Sequence, residues 1–340
     1  MTHLHAAFDA LLFDLDGVVY VGPHAVSHAV EAIAEVRAEG ARCSFVTNNA
    51  SRPAGTVADH LTEIGVPCIA SDVVTSPQAA VTVLGEWVPA GARVLVIGGA
   101  GIADELASRG YQPVWSLTDE PAAVMQGFSP DLGWKDLAEA TFAVRAGLPW
   151  IATNPDRTFP TPRGAAPGNG ALVAVVAEAA GRLPDAVAGK PEPPLLHEAI
   201  ARLGSQRPLM IGDRLDTDIA AGSRIGISTL LVMSGVTTPR AVLSASPDER
   251  PTFLASDLRI LTEDYPQVAW SPAQAGLDVV VSCRASSVTI DERLLVVTSL
   301  GEPDDTLRAA CALMWAEADA GRVVEVPAET LALMGTGWGE

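Results

Sequence analysis

Ala10-Leu11-Leu12-Phe13-Asp14-Leu15-Asp16-Gly17 decides how the chain reads. Four consecutive apolar residues without polar alternation predict a short strand buried on both faces, and the carboxylates begin where the apolar run stops. The same arrangement recurs three times. Cys43 to Val46 precedes Thr47-Asn48-Asn49. An expected strand near Asp185–Ala188 precedes Gly189-Lys190-Pro191, and Leu209-Met210-Ile211 precedes Gly212-Asp213, with Asp218 five residues on. Between them lie helical patterns: Val26, Val30 and Ile33 up to Gly40, then Val57–Ile64 up to Gly65. The pattern restarts at Ser76-Pro77. Arg93–Ile97, Ala122–Gln126, Pro149–Thr153 and Ser228–Val232 read as strands and Asp216–Arg224 as a helix, while Pro160–Gly170, rich in Pro and Gly, reads as a loop. Such alternation predicts an α/β fold with a doubly wound parallel sheet, whose ligands bind at the carboxyl ends of the strands.

The chain has 340 residues, of which 48% are hydrophobic and 19% charged, so the expectation is two globular domains with an appendage. No apolar run reaches the roughly 18 residues of a membrane helix. Twenty-two Lys and Arg against 41 Asp and Glu give a net charge of −19, which repels nucleic acid and anionic membranes. Cys43, Cys68, Cys283 and Cys311 form neither a CxxC nor a zinc spacing; they read as small buried residues of a reduced compartment. The first residues lack a basic stretch, so a cytoplasmic location without a signal peptide is expected.

The residues that end these strands suit one chemistry. Asp14 and Asp213 are hard oxygen ligands appropriate to Mg²⁺. Asp16, two residues beyond Asp14, is placed to act as acid and base. Thr47 offers a hydroxyl and neighbouring N–H groups to phosphate oxygens. Lys190, one of only two lysines against twenty arginines, offers a point positive charge.

Taken in order, DLDG, TNN, GKPEP and GDRLDTD resemble the motifs of the haloacid dehalogenase-like (HAD) superfamily. The resemblance implies a Rossmann-like core and a phosphomonoesterase reaction. Asp14 would be the nucleophile, forming an aspartyl-phosphate, and Asp16 would protonate the leaving alkoxide and then activate water. Mg²⁺ would be held by Asp14, the Asp16 carbonyl and Asp213. Thr47, Asn48, Asn49 and Lys190 would bind the phosphoryl group, and Asp218 would orient Lys190 or a water on the metal. Dehalogenases of the family lack the second acid, so Asp16 disfavours that branch.

Thirty residues separate Asp16 from Thr47, whereas 142 separate Thr47 from Lys190. A cap domain therefore belongs in the second gap, the position called C2, which disfavours a mutase. The runs DLDGVVY, TNNASR, VLVIGGAG, IATNPD, GNGALVA, GKPEP and GDRLDTDIAAG resemble the NagD-like class IIA phosphatases over residues 8–258, and most resemble the group acting on glycerol 3-phosphate or phosphoglycolate. Glycerol 3-phosphate is the expected substrate; phosphoglycolate, pyridoxal phosphate, a nucleotide or a protein phosphotyrosine are its rivals. A phosphate-sensing binding module is the non-enzymatic alternative, which Asp16 disfavours. The expected domains are a core of residues 1–76 and 184–258, an α/β cap of 77–183, and a C-terminal α+β extension of 259–340. In the cap loop Ile151–Arg157, Asn154, Asp156 and Arg157 are candidates to contact the leaving group, although Asn-Pro-Asp is also good turn chemistry.

Other signals read as structural. Val94–Gly101 lacks the full G-x-G-x-x-G spacing, and a strand, turn and helix explain it. His24 and His28 are expected at a solvated helix start, His3 and His5 in a fraying terminus, and His60 and His197 on helices. In the extension, Asp278–Cys283, Leu294–Thr298 and Arg322–Val326 are expected strands and Thr306–Ala318 a helix. This order resembles part of an acetyltransferase-like (GNAT) fold without its acetyl-CoA loop, so docking or dimerisation is the plainer role. The expected partner is a small phosphorylated metabolite; a homo-oligomer is left open.

Overall fold

The apolar run at Ala10–Phe13 is strand β1, with every side chain buried. It belongs to a computed structural model that describes residues 3–161, 163–271 and 279–335, divided into two units. Residues 1–42 and 207–340 form one unit, and residues 43–206 form the other.

In the first unit, β1 pairs in parallel with β13 (Pro208–Gly212). Next come β14 (Ser228–Val232) and β15 (Phe253–Ala255), also parallel. A small hairpin, β2 (Tyr20–Val21) and β3 (His24–Ala25), follows β1. Helix α1 (Ala29–Ala38) buries Ala29, Ala32, Ile33 and Val36. It starts later than the spacing of Val26 suggests, because His28 adopts a left-handed conformation, φ +66°. His24 lies on β3 and His28 at the helix N-cap, so the two do not share a helix face. The helix expected after Asp213 opens as a π-helical turn, Leu215–Ile219, before α8 (Ala220–Arg224). Helix α9 (Pro239–Leu243) follows β14.

The terminal segment of this unit is an antiparallel sheet of β16 (Val268–Ser271), β17 (Val280–Cys283), β18 (Ser286–Asp291) and β19 (Leu294–Ser299), with helices α10 (Pro303–Asp319) and α11 (Ala328–Ala332). Helix α10 opens with proline at its first position and two acids in its first turn, both favourable at a helix N-terminus. Leu307, Ala310, Cys311 and Leu313 of α10 join Val281, Val288 and Leu295 in one apolar cluster with Leu231, Val242 and Leu254. The terminal sheet and the parallel strands thus share a core. Strands β16 and β18 were not expected: in β18, Ser-Ser-Val-Thr-Ile-Asp, four of the six residues are polar. The expected strand at Arg322–Val326 is instead a single bridge, Glu325 to Leu294, between a left-handed Gly321 and Pro327. The expected strand at Asp278 begins at Val280 as β17; Asp278 itself lies outside the described residues.

The second unit starts with β4 (Cys43–Thr47), entirely buried, which is parallel to β5 (Val73–Thr75). Helices α2 (Ala54–Glu63), α3 (Ser76–Leu84) and α7 (Pro194–Leu203) accompany them. At the start of α3, Gln78 accepts a hydrogen bond from Thr75 N–H at 3.0 Å. A five-stranded parallel sheet is ordered β12 (Ala186–Val187), β9 (Trp150–Ala152), β8 (Ala123–Gln126), β6 (Arg93–Ile97) and β7 (Gln112–Val114). Helix α4 (Ala100–Ser108) follows β6. Helices α5 (Trp134–Arg145) and α6 (Asn169–Ala180) pack on this sheet around the fully buried Trp150. The segment expected to be a loop is a hairpin of β10 (Thr158–Thr161) and β11 (Gly164–Pro167), helped by Gly164 at φ +112°.

Among the described residues, no helix is long and apolar enough to cross a membrane. None of the four cysteines is in a disulfide; Cys68 is half-buried, the others buried.

Candidate active site

Parallel register places two acids side by side. Phe13 pairs with Ile211, and Asp14 N–H bonds the Ile211 carbonyl at 2.8 Å, so Asp14 and Asp213 leave adjacent strand ends. The π-helical turn then returns Asp218, whose carboxylate accepts Arg214 N–H at 3.1 Å. Ligand oxygens of Asp14, Asp213 and Asp218 all lie within 4.8 Å of one another, and all three residues are buried. Backbone without side chains makes this crowding feasible. A Cβ on Gly212 would stand 2.1 Å from Asp218 Cβ, and one on Gly17 (φ +83°) 2.6 Å from Asp213 Oδ2.

Asp213 is held from the loop after β14, which sequence reasoning did not single out. Val236 N–H donates to Asp213 Oδ2 at 2.9 Å, and the Thr237 hydroxyl donates to the Asp213 carbonyl. The available signal was that this loop also follows an apolar strand. Asp213 Oδ1 is buried and receives no hydrogen bond. Burial, then the charges of Asp218 and Asp14, push the Asp213 carboxyl up to about 8. Three buried carboxylates that disfavour one another's charge, one with an unfilled oxygen, fit a hard divalent cation. Asp16 is exposed in the turn after β1. Asp218, expected to orient other groups, contributes a carboxylate oxygen to the trio itself.

The second unit assembles its own group of predicted residues. Lys190 is 2% exposed, with Nζ 3.4 Å from the Val46 carbonyl. The Asn48 amide spans the Lys190 backbone: its Nδ2 donates to Lys190 O at 2.9 Å, and its Oδ1 accepts Lys190 N–H at 2.8 Å. The same Nδ2 donates to Asp156 Oδ1 at 3.1 Å. Asn154 Nδ2 donates to Asn48 O at 2.7 Å, and Asn154 Oδ1 accepts Asp156 N–H at 3.2 Å. Two residues that were not anticipated complete the network. Asn169 donates to Asn154 O at 2.8 Å, and Ser76 donates to Asn48 O at 2.8 Å. Asn169 had a signal in the run GNGALVA; Ser76 had none. Thr47 is buried and its hydroxyl accepts Asn49 N–H at 3.1 Å, while Asn49 Oδ1 accepts Ser51 N–H at 2.9 Å. Arg157 is exposed, and its carbonyl accepts Gly168 N–H.

Comparison with known proteins matches these parts. A haloacid dehalogenase-like hydrolase model covers residues 11–112, and a HAD-hydrolase-like model covers residues 187–261. The D-glycerol 3-phosphate phosphatase of Mycobacterium tuberculosis is 42% identical over 307 residues, 90% of this chain and 86% of that protein. The chain is a haloacid dehalogenase-like hydrolase. Two other members match less of it. The acid sugar phosphatase of Staphylococcus aureus is 34% identical over 74% of this chain and 95% of its own. The p-nitrophenyl phosphatase of Archaeoglobus fulgidus superposes with a TM-score of 0.70 at 28% identity, over 75% of this chain and 98% of its own. By contrast, the glycerol phosphate phosphatase of M. tuberculosis, solved in complex with magnesium, superposes with a TM-score of 0.85 at 38% identity over 98% of each chain. The terminal segment thus has a counterpart in that hydrolase.

Proposed function

We propose that this hydrolase is a Mg²⁺-dependent phosphomonoesterase that converts glycerol 3-phosphate to glycerol and phosphate. The observation that carries the chemistry is the buried trio of Asp14, Asp213 and Asp218. Mg²⁺, when bound by Asp14 and Asp213 with the Asp16 carbonyl, supplies charge neutralisation for the transferring phosphoryl group. Asp14 attacks phosphorus and takes the phosphoryl group as an aspartyl-phosphate. Asp16, exposed beyond the end of β1, protonates the leaving alkoxide and then deprotonates the hydrolytic water. Thr47 and Lys190 hold the phosphoryl oxygens. Asn48 serves that step by fixing the Lys190 backbone and by tying Asp156 to it.

The choice of glycerol 3-phosphate is supported by the M. tuberculosis relative, whose structure matches 98% of this chain where the S. aureus and A. fulgidus phosphatases match 74% and 75%. Asn154, Asp156 and Arg157 are assigned to the leaving group. The proposed domains are the core of residues 1–76 and 184–258, the cap of 77–183 and the extension of 259–340. Cysteines outside disulfides suit a cytoplasmic location.

The test is phosphate release from both enantiomers of glycerol 3-phosphate, phosphoglycolate, pyridoxal phosphate and AMP, each with Mg²⁺ and with EDTA. Metal-dependent release with glycerol 3-phosphate highest in kcat/KM is expected. A different best substrate overturns the substrate, and metal-independent release overturns the mechanism.

A further inference from the structure

The N-terminal segment was expected to fray, yet it forms a 3₁₀ turn, Leu4–Ala7, and His5 is 5% exposed. Leu4 N–H bonds the Glu263 carbonyl at 2.9 Å, which fastens the turn. The two histidines flanking Leu4 face one carboxylate. His5 Nε2 lies 3.2 Å from Glu39 Oε2, and His3 Nδ1 lies 3.3 Å from the same oxygen. All three ligand atoms are within 4.8 Å of one another. We propose that His3, His5 and Glu39 form a binding site for a divalent transition-metal cation of the zinc class, separate from the aspartate trio.

Three observations converge on a cation there. First, the other nitrogen of His5 is already committed: Nδ1 lies 2.9 Å from the Leu261 carbonyl, an acceptor, so Nδ1 carries the proton. In the neutral ring, Nε2 then presents a lone pair towards Glu39 Oε2, an arrangement that a cation between them completes. A backbone carbonyl that fixes the tautomer in this way is the usual outer support of a metal-bound histidine. Hydrogen bonding alone would require His5 to be doubly protonated beside His3, whose ring centroid is 5.8 Å away. Second, the spacing is right. Tetrahedral ligands at ~2.0–2.1 Å from zinc stand ~3.3–3.4 Å apart, and the two contacts to Glu39 measure 3.2 and 3.3 Å. Third, Glu39 is the C-cap of α1, where the helix dipole favours a cation over a carboxylate. Two imidazoles and one carboxylate select Zn²⁺, Co²⁺ or Ni²⁺ over Mg²⁺. His3 and Glu39 remain partly exposed, leaving the fourth position to water. The bound ion would pin the N-terminal turn to the end of α1.

The experiment is calorimetric titration of the full chain, without an affinity tag, with Zn²⁺ in excess Mg²⁺. One equivalent of Zn²⁺ is expected to weaken by at least about tenfold, or vanish, in His3→Gln and in Glu39→Gln. It is expected to persist in Asp213→Asn. Co²⁺ should give the visible absorption of a four-coordinate ion in the native chain and lose it in both variants. Because the His3 ring and Glu39 are both partly exposed, these variants keep the fold even where His5→Gln does not. Turnover with Mg²⁺ should be unchanged in His3→Gln. Equal zinc isotherms in the native chain and both variants, or no zinc binding at all, would overturn the proposal and leave a plain His–Glu ionic contact.

Discussion

Two groups of buried carboxylates lie in the first unit with opposite surroundings. In the terminal segment, Asp305 is 2% exposed and meets Arg308 Nη1 at 2.7 Å. Arg308 also donates to the Leu254 carbonyl at 2.8 Å, approaches Asp304 at 3.5 Å and lies 5.0 Å from the centre of the Tyr265 ring. Its charge and donors are spent on structure. Even the adjacent Cys283 thiol is pushed up to about 11, by burial and then by the Asp305 charge, which keeps it inert at neutral pH. The aspartate trio is equally buried, yet Asp213 Oδ1 takes no hydrogen bond and the charges repel. Burial alone therefore does not mark a functional acid in this protein. What marks Asp213 is a buried oxygen without a hydrogen bond beside acids that push its carboxyl up.

The largest effect expected of that difference is catalytic. Asp14→Asn should reduce phosphate release by about 10⁴-fold while circular dichroism stays unchanged, as for loss of a covalent nucleophile; a fall below tenfold would remove Asp14 from that role. Next is Arg308→Met, which removes the buried cation of Asp305 and leaves only Arg284, 3.9 Å away and half-exposed. Urea unfolding should show a loss of about 3–5 kcal/mol, partly recovered by adding Asp305→Leu. The trio should answer oppositely. Asp213→Asn should stabilise the metal-free chain by about 1–3 kcal/mol and abolish stabilisation by Mg²⁺; destabilisation in EDTA would erase the contrast. The last effect is on pH. Asp213 holds its proton more tightly in the folded state than in the unfolded chain. This contribution to stability is therefore complete below the ordinary carboxylate range and is lost as pH rises toward about 8. Urea midpoints in EDTA should fall between pH 5 and 8.5, and should fall less in Asp213→Asn.

Asp14 and Asp213 were legible because apolar runs end at them, and parallel strands bring such ends together. Lys190 was legible from its rarity and from the loop after a strand. The role of Asn48 was not, because its partners Asp156 and Lys190 are 108 and 142 residues away and no local pattern encodes an amide spanning a backbone. The hairpin of β10 and β11 was hidden by proline and glycine, which mark loops but also serve at strand edges. Strand β18 was hidden because four of its six residues are polar. His5 was misjudged because proximity to the chain start suggests fraying, whereas its burial depends on Leu261 and Glu39.

The shortage of lysine has a practical side. With Lys190 buried at 2% and Lys135 exposed on α5, amine-directed reagents meet one side-chain target besides the α-amino group. A dye or a surface tether attached through Lys135 would mark a single known helix, giving defined immobilisation without any engineered cysteine.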